Sequence, residues 1–285
     1  MSVIVSLFLG LVQGIAEFLP ISSSGHIAIL NNLLSMDYSE ENHLLFDVLL
    51  HLGTLISICF VYRLEIRKMF ADAIEYLNMR NDPELDEPVV LKPPARVLLF
   101  VIIGTLPMII AAIFWGMVSR LYLKTGFIGF ALIVTGGLLF VSDKYIQRGR
   151  KTERTMTAKD AIIIGLAQAV SILPGLSRSG TTIAVGLACG MSGKFAVRFS
   201  MLLSIPAVLG GLVVSLYRAI RGSADFSQFP VYLAGFAIAT IVGFFAIQLL
   251  RRLTAKEKGG LGKFAYYCWG VGALAIILSL IIQGS

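Results

Sequence analysis

The sequence is poor in charge, cysteine and histidine. Only 14% of its 285 residues are charged, three are cysteine and three are histidine, whereas 56% are hydrophobic and the mean hydropathy is +0.83. So little charge excludes a soluble globular domain, which typically carries about 25% charged residues. Cys59, Cys189 and Cys268 stand singly in apolar runs, which argues against a disulfide framework or a cysteine metal site. The chain is therefore predicted to be a polytopic membrane protein.

Six apolar runs are each close to the ~20 residues that a bilayer-spanning helix requires. A charged loop at residues 64–94 also has apolar residues at helical spacing, and it is predicted to include a helix lying at the membrane interface. The sequence thus predicts an all-α polytopic membrane protein. The six predicted full spans are residues 46–62, 97–118, 126–141, 197–217, 231–250 and 264–282.

The net charge of +7 is distributed unevenly between the spans. Four loops are rich in Lys and Arg, and the positive-inside rule places these loops in the cytoplasm. The basic residues therefore report topology, and no nucleic-acid partner is predicted. The four rich loops are residues 63–96, 144–159, 194–198 and 251–263, whereas the remaining loops carry only Arg120, Lys124, Arg218 and Arg221.

The chain aligns with itself at an offset of about 155 residues, which brings residues 46–63 over residues 199–218. The positive-inside assignment runs these two segments in opposite directions, so the halves are predicted to form an inverted-topology repeat within a single membrane domain. Half one covers residues 1–142 and half two residues 160–285. Between them, residues 143–159 are predicted to be a cytoplasmic linker with no further role.

Four apolar segments are too short to cross the membrane, and they form two pairs. Pro20 interrupts the first pair and Pro174-Gly175 the second, where a helix would have to break. Each pair is predicted to form a re-entrant helical hairpin, the first entering from outside and the second from the cytoplasm, which gives about ten helical segments in all. Broken backbone at the midplane is tolerated where it lines a wet cavity, so the two tips are predicted to form a binding site. The segments are residues 3–19, 21–34, 161–173 and 181–191.

The first tip carries a carboxylate, an imidazole and several hydroxyls. A central charge in a membrane costs about 2.5 to 3.5 kcal/mol on insertion scales, so such groups are functional candidates. Gln13 and Glu17 share a helix face, where an amide oxygen and a carboxylate are predicted to hold a divalent cation, Mg²⁺ or Ca²⁺. Beyond Pro20 follow a nucleophilic hydroxyl and a titratable base. The candidates are Gln13, Glu17, Ser22, Ser23, Ser24 and His26.

The second tip places hydroxyls and a guanidinium just before an apolar helical run. Free N–H groups at a helix start bind anions, and Arg178 is predicted to clamp such an anion bidentately. Alternatively, Arg178 neutralises Glu17 in a structural ion pair. The anion site is favoured because the hydroxyls outnumber what one salt bridge needs. The candidates are Ser177, Arg178, Ser179, Gly180, Thr181 and Thr182.

Together the tips offer what phosphoryl transfer requires, namely positioning and electrostatic stabilisation of phosphate oxygens. A site embedded among apolar spans indicates a substrate with a lipid tail.

At the stretches 17–26 (EFLPISSSGH) and 174–182 (PGLSRSGTT) the sequence resembles the undecaprenyl pyrophosphate phosphatase family, membrane enzymes linked to bacitracin resistance. The likeness covers essentially the whole chain. It implies hydrolysis of undecaprenyl pyrophosphate to undecaprenyl phosphate and inorganic phosphate, which recycles the lipid carrier for peptidoglycan synthesis. It also implies a divalent cation, a bacterial cytoplasmic membrane location and an active site facing the outer side. A homodimer is left open.

The resemblance also implies roles for particular residues. Glu17, His26 and Arg178 match principal functional positions, Ser23 a proposed nucleophile, and Ser177 and Thr182 phosphate-contacting positions. Members often carry a second carboxylate where this chain has Gln13, and an amide contributes no charge to hold a cation. The mechanism we expect is attack of Ser23 on the terminal phosphorus with His26 accepting its proton. Direct attack by a water activated by His26 is the alternative.

The sequence is also compatible with a second class of function. A polyprenyl-phosphate flippase or transporter is the alternative function, because inverted repeats with paired re-entrant tips are transporter architecture. The acid-phosphatase-like lipid phosphatases are excluded, since Ala184 and Ala188 stand where that family requires His and Asp. Asp47 and His51, one helical turn apart, are interpreted as a local stabilising pair.

Overall fold

The computed structural model describes residues 1–34, 40–80, 89–146, 148–221, 228–255 and 260–284. Within these ranges the chain forms twelve α-helices, one 3₁₀ turn at Ser119–Leu123 and no strand beyond an isolated bridge between Lys151 and Met191. The helices are α1 (Val3–Phe18), α2 (Ser23–Leu34), α3 (Glu40–Val61), α4 (Arg63–Arg80), α5 (Pro93–Ile113), α6 (Trp115–Val118), α7 (Thr125–Ser142), α8 (Ala158–Val170), α9 (Arg178–Ala188), α10 (Gly193–Arg221), α11 (Phe229–Ala255) and α12 (Gly262–Gly284).

The all-α polytopic architecture is confirmed. Helices α5, α7, α10, α11 and α12 are long and apolar enough to cross a membrane, and each coincides with a predicted span. The remaining predicted span falls on α3, which turns by 72° into α4. The turn lies at Tyr62, and Arg63 begins α4 immediately after it. By length and composition the described residues thus hold five spans, and the sixth predicted span, on α3, passes the same test only when α3 and α4 are counted together.

Helix α4 is the helix predicted within the charged loop. Its apolar side chains divide between two directions, since Met69 is buried against the core while Phe70 and Ile74 remain exposed. Lys92 next to α5 donates to the Glu75 carboxylate at 2.6 Å. The helix is thus confirmed, and its place at the membrane interface stays a prediction.

Both predicted helix breaks are present. Helix α1 ends at Phe18, and the chain turns through Pro20 and Ser22, whose φ of 70° is unusual for a residue with a Cβ atom. Helix α8 ends at Val170, and Gly175 adopts a φ of 93°. Glycine is needed there for a second reason, because a Cβ atom would overlap the Ile128 carbonyl oxygen. The four short helices α1, α2, α8 and α9 therefore exist, and their entry from opposite membrane faces stays a prediction.

Equivalent helices of the two halves make equivalent contacts. Helix α1 packs along α11 and helix α8 along α5. In each pair a glycine lets the backbones touch, because a Cβ on Gly10 would overlap the Gly235 carbonyl oxygen and one on Gly165 would overlap that of Gly104. Close approach at small residues is typical of helices packed in membranes. This matching supports the predicted internal repeat.

The segment between the halves does more than connect them. Met156 is fully buried, and the guanidinium of Arg96 donates to the Arg154 and Met156 carbonyl oxygens at 3.0 and 3.1 Å. Asp160 closes a capping box with Thr157 at the start of α8 and binds the Lys151 ammonium at 2.8 Å. Burial alone would raise the pKa of Asp160, but Lys151 and Thr157 outweigh it and hold the pKa below its usual value. The linker therefore binds α5 through Arg96 and the start of α8 through Asp160.

Candidate active site

At each tip a serine hydroxyl caps the helix that follows. Before α9, the Ser177 hydroxyl accepts a hydrogen bond from the Gly180 N–H at 3.1 Å. Before α2, the Ser22 hydroxyl accepts one from the Gly25 N–H at 3.2 Å. Each serine therefore satisfies an N–H group that the helix start leaves free. These two predicted substrate contacts are occupied as helix caps in this structure.

The centre of the site is an ion pair between the halves. Glu17 Oε1 lies 2.7 Å from Arg178 Nη2, and the two side chains are only 7% and 14% exposed. The other carboxylate oxygen accepts hydrogen bonds from the Ser23 hydroxyl at 2.7 Å and from Gln13 Nε2 at 3.1 Å. Four predicted site residues, separated by up to 165 positions in sequence, thus meet around one carboxylate.

The ion pair leaves part of Arg178 without a partner. Its Nη1 atom is buried and makes no hydrogen bond, and the same holds for Thr181 Oγ1 and Gln13 Oε1. A buried donor or acceptor without a partner costs about 1 to 3 kcal/mol, more for a charged group. Two donors on the second tip and one acceptor on the first are therefore available to a ligand. The ion pair and the anion clamp are compatible, because they use different nitrogens of Arg178.

His26 is held on both sides of its ring. Its Nδ1 lies 2.8 Å from the Ser22 carbonyl oxygen, and its Nε2 lies 2.8 Å from the Tyr267 hydroxyl on α12. No hydrogen bond joins His26 to Ser23 within the described residues. Ser23 instead donates to Glu17, so the structure places a carboxylate where the expected mechanism had the imidazole.

The hydroxyls of the remaining predicted residues contact different partners. Ser179 Oγ donates to the Leu19 carbonyl oxygen at 3.3 Å and so ties the second tip to the first. Thr182 Oγ1 lies 2.6 Å from Ser200 Oγ and faces α10. Ser24 Oγ lies 3.4 Å from Ser22 Oγ. Of the second-tip hydroxyls, only that of Thr181 is described as buried and unpaired.

Sequence reasoning missed two residues on other helices that contact the backbone of the tips. Thr135 on α7 is fully buried, donates to the Gly175 carbonyl oxygen at 3.0 Å and accepts from the Ser177 N–H at 3.1 Å. Cys268 on α12 has its thiol 3.7 Å from the Pro20 carbonyl oxygen. Both lie within apolar spans, where the sequence pattern does not distinguish a single Thr or Cys from the other buried residues. Helices α7 and α12 therefore each support one tip.

His51 lies on α3, one turn after Asp47. Its Nδ1 lies 2.9 Å from the Asp47 carbonyl oxygen, so the local contact predicted between these residues runs to the backbone.

The donor set for a cation is small. Within the described residues no three His, Cys, Asp or Glu side chains are grouped to hold a metal ion. Gln13 offers an unpaired amide oxygen beside the Glu17 carboxylate. Oxygen donors of this kind suit Mg²⁺ or Ca²⁺, and the phosphate oxygens of a substrate would complete the coordination. The residues present therefore fit a cation that is shared with substrate.

The chain is similar along its whole length to a set of named membrane phosphatases. The family described as bacitracin resistance protein BacA matches residues 6–274. An undecaprenyl-diphosphatase of Methanobrevibacter smithii is 39% identical over 282 residues, covering 98% of this chain and 99% of the relative. Those of Carboxydothermus hydrogenoformans and Alkaliphilus metalliredigens are 36% and 38% identical, with at least 96% of every chain covered. The chain therefore belongs to the bacitracin resistance protein BacA family.

Proposed function

We propose that this protein is an integral membrane phosphatase that hydrolyses undecaprenyl pyrophosphate to undecaprenyl phosphate and inorganic phosphate. Full-length relatives at 34 to 39% identity carry the name undecaprenyl-diphosphatase. One observation carries the proposal from the structure: a buried guanidinium nitrogen of Arg178 has no partner, next to a serine that donates to a carboxylate. The reaction recycles the lipid carrier for cell-wall synthesis, and we propose that it confers bacitracin resistance, in keeping with the description of the family.

Substrate binding uses the second tip. Arg178 Nη1 donates to an oxygen of the terminal phosphate, and the Thr181 hydroxyl donates to a second oxygen. The positive end of the α9 helix dipole points at the same place, because Arg178 is the first residue of α9. These donors stabilise the charge that spreads over the equatorial oxygens in the transition state.

The chemical step uses the first tip. Ser23 Oγ attacks the terminal phosphorus, its proton passes to Glu17 Oε2, and the bond to the bridging oxygen breaks to release undecaprenyl phosphate. Water then attacks the phosphoserine and releases inorganic phosphate. The 2.7 Å hydrogen bond from Ser23 to Glu17 supports the carboxylate as first proton acceptor. His26 is left to act on the water, either in this second step or by direct attack without a phosphoserine.

We propose a divalent cation, Mg²⁺ or Ca²⁺, at Gln13 Oε1 and Glu17. When bound, it supplies positive charge that neutralises the pyrophosphate oxygens. The protein is further proposed to lie in the cytoplasmic membrane with its site open to the outer side, where the lipid pyrophosphate is generated by cell-wall synthesis.

The test is release of phosphate from undecaprenyl pyrophosphate by the purified protein, with and without a chelator. We expect activity in the wild type, a loss with chelator, and a loss in the Glu17→Ala, His26→Ala and Arg178→Ala variants. Ser204→Ala is a matched control, because the Ser204 hydroxyl only donates to the Met201 carbonyl oxygen within α10. Transport of the lipid without phosphate release would contradict the proposal and favour the flippase alternative.

A further inference from the structure

His26 of α2 and Tyr267 of α12 meet beside a cluster that both helices share with α7. Ala28 and Ile29 of α2 and Ala275 and Val271 of α12 belong to this cluster together with Ile128 and Leu132 of α7. Tyr267 precedes Val271 by four residues, as Val271 precedes Ala275, so the three share one face of α12. Packing of both helices on α7 therefore holds the Tyr267 side chain next to the first residues of α2.

The hydrogen bonds around His26 define its tautomer. The Ser22 carbonyl oxygen can only accept, so Nδ1 carries a proton at the 2.8 Å distance observed. In the neutral imidazole, Nε2 then has a free lone pair, and the Tyr267 hydroxyl at 2.8 Å donates to it. The two rings are also within 7° of parallel, with their centroids 5.6 Å apart, so the side chains are in contact along their rings as well as through this hydrogen bond.

A tyrosine hydroxyl suits a base that changes its protonation state. Because this hydroxyl occupies the Nε2 lone pair, a proton reaches Nε2 through it: the hydroxyl gives its own hydrogen to Nε2, takes one from the attacking water, and then accepts a hydrogen bond from the new Nε2–H. A carboxylate could only accept and a lysine could only donate. The contact therefore survives both halves of a proton-transfer cycle without movement of either ring.

We propose that Tyr267 is a positioning residue for His26, whose hydroxyl holds the imidazole in one orientation in both its neutral and its protonated form. The inference rests on the proposed function, because it assigns Tyr267 a role in the phosphatase reaction. Tyr267 acts through His26 and has no direct contact with phosphate. Its side chain is 45% exposed, so the hydroxyl stands between the imidazole and the surroundings of the protein.

The chain provides a matched control at the neighbouring residue. Tyr266 is 64% exposed, and its described contacts are edge-on ring contacts with Phe140 and Trp269. Tyr267→Phe and Tyr266→Phe each remove one hydroxyl from the same turn of α12. A general effect of lost tyrosine hydroxyls would appear in both variants.

Steady-state kinetics give the first test. We expect Tyr267→Phe to lower kcat about 10-fold, the effect of one lost hydrogen bond to a reacting group, with KM changed less than about 2-fold. Tyr266→Phe should keep both parameters within about 2-fold of the wild type. Melting temperatures of both variants should stay within about 3 °C of the wild type, because each retains its ring.

Nitrogen NMR of histidine-labelled protein gives a second test that needs no activity. The chain has three histidines, so the spectrum is simple, and the His26→Ala variant identifies the His26 signals. Tyr267→Phe should move the Nε2 resonance of His26 and leave that of His51 in place.

An unmoved Nε2 resonance or an unchanged kcat would overturn the inference. If the wild type releases no phosphate, the proposed function fails, while the NMR result still decides whether the contact exists.

Discussion

The two tips share a serine cap but differ in backbone and in chemistry, since Ser22 has a φ of 70° and Ser177 a φ of −71°. At each, a serine caps a short helix three residues before a glycine, Ser22 before Gly25 and Ser177 before Gly180. Yet the residue after the cap is Ser23 at the first tip and Arg178 at the second. The first tip therefore presents a hydroxyl where the second presents a guanidinium. The asymmetry of the site comes from the backbone of the tips as well as from their side chains.

The two halves also differ at a pair of equivalent glutamines, Gln13 on α1 and Gln168 on α8. Gln13 donates to Glu17, whereas both amide atoms of Gln168 are buried without a partner. The position equivalent to Glu17 in the second half is Ile172, which cannot accept a hydrogen bond. Glu17 is thus the one carboxylate in the two tip motifs, and it lies between the Ser23 hydroxyl of its own tip and Arg178 of the other.

Removal of Arg178 should have the largest effect on stability and on phosphate release. Arg178→Ala leaves Glu17 buried without its cation, which costs about 3 to 5 kcal/mol of stability when one partner of a buried pair is lost. It also removes the phosphate clamp, so phosphate release should fall by roughly 10³-fold or more. Activity and thermal unfolding would be measured on the same preparation.

The Glu17→Gln/Arg178→Gln double variant is the control for that prediction. Both charges are then absent, so the melting temperature should recover relative to Arg178→Ala, while activity stays lost. Recovered activity in the double variant would show that Arg178 serves only to neutralise Glu17.

Removal of the Ser23 hydroxyl should have the next largest effect. Ser23→Ala leaves the ion pair intact and deletes the atom that donates to Glu17, so kcat should fall by roughly 10² to 10⁴-fold with little loss of stability. Ser204→Ala is the control, because the Ser204 hydroxyl lies outside both tips and donates to the Met201 carbonyl oxygen within α10. Phosphate covalently bound to wild-type protein but absent from Ser23→Ala would be found by mass spectrometry after an acid quench. Substantial turnover by Ser23→Ala would favour direct attack by water.

A smaller effect is expected when the support of the second tip is weakened. Thr135→Val keeps the shape of the side chain but leaves the Ser177 N–H and the Gly175 carbonyl without their partner, so stability should fall by about 1 to 3 kcal/mol. The clamp then loses its fixed position, and KM should rise. Thr105→Val in α5 is the control, because Thr105 only donates to Val101 within its own helix. Equal KM values in the two variants would argue against a role of Thr135 in holding the tip.

The parts of this arrangement that could be predicted are local ones. Pro20 and Gly175 mark the helix breaks because proline and glycine act on their own backbone. Glu17 and Arg178 could be placed together because charge in an apolar chain needs a partner and the repeat brings the two motifs to equivalent places. The hydroxyl clusters were also visible, but two of the hydroxyls, those of Ser22 and Ser177, cap helices in the structure.

What could not be predicted depends on contacts between distant segments. Tyr267 lies 241 residues from His26, and Thr135 lies 42 residues from Ser177. Neither belongs to a motif, and both sit in spans whose pattern predicts only burial. The direction of the Ser23 hydroxyl was equally out of reach, because a turn with Ser22 at positive φ sets it, and no residue-type pattern predicts that conformation.

The smallest expected effect concerns the two equivalent glutamines, and it tests whether the cation belongs to the first tip. Gln13→Glu adds a second carboxylate beside Glu17, so the Mg²⁺ concentration for half-maximal activity should fall roughly 5-fold, since charge count tunes the affinity of oxygen sites. Gln168→Glu adds the same charge at the equivalent place in the other half, where position 172 is isoleucine, and should give no such gain. Calorimetric titration of Mg²⁺ into each variant measures binding apart from turnover. Tighter binding in Gln168→Glu, or none in Gln13→Glu, would place the cation away from Gln13 and Glu17.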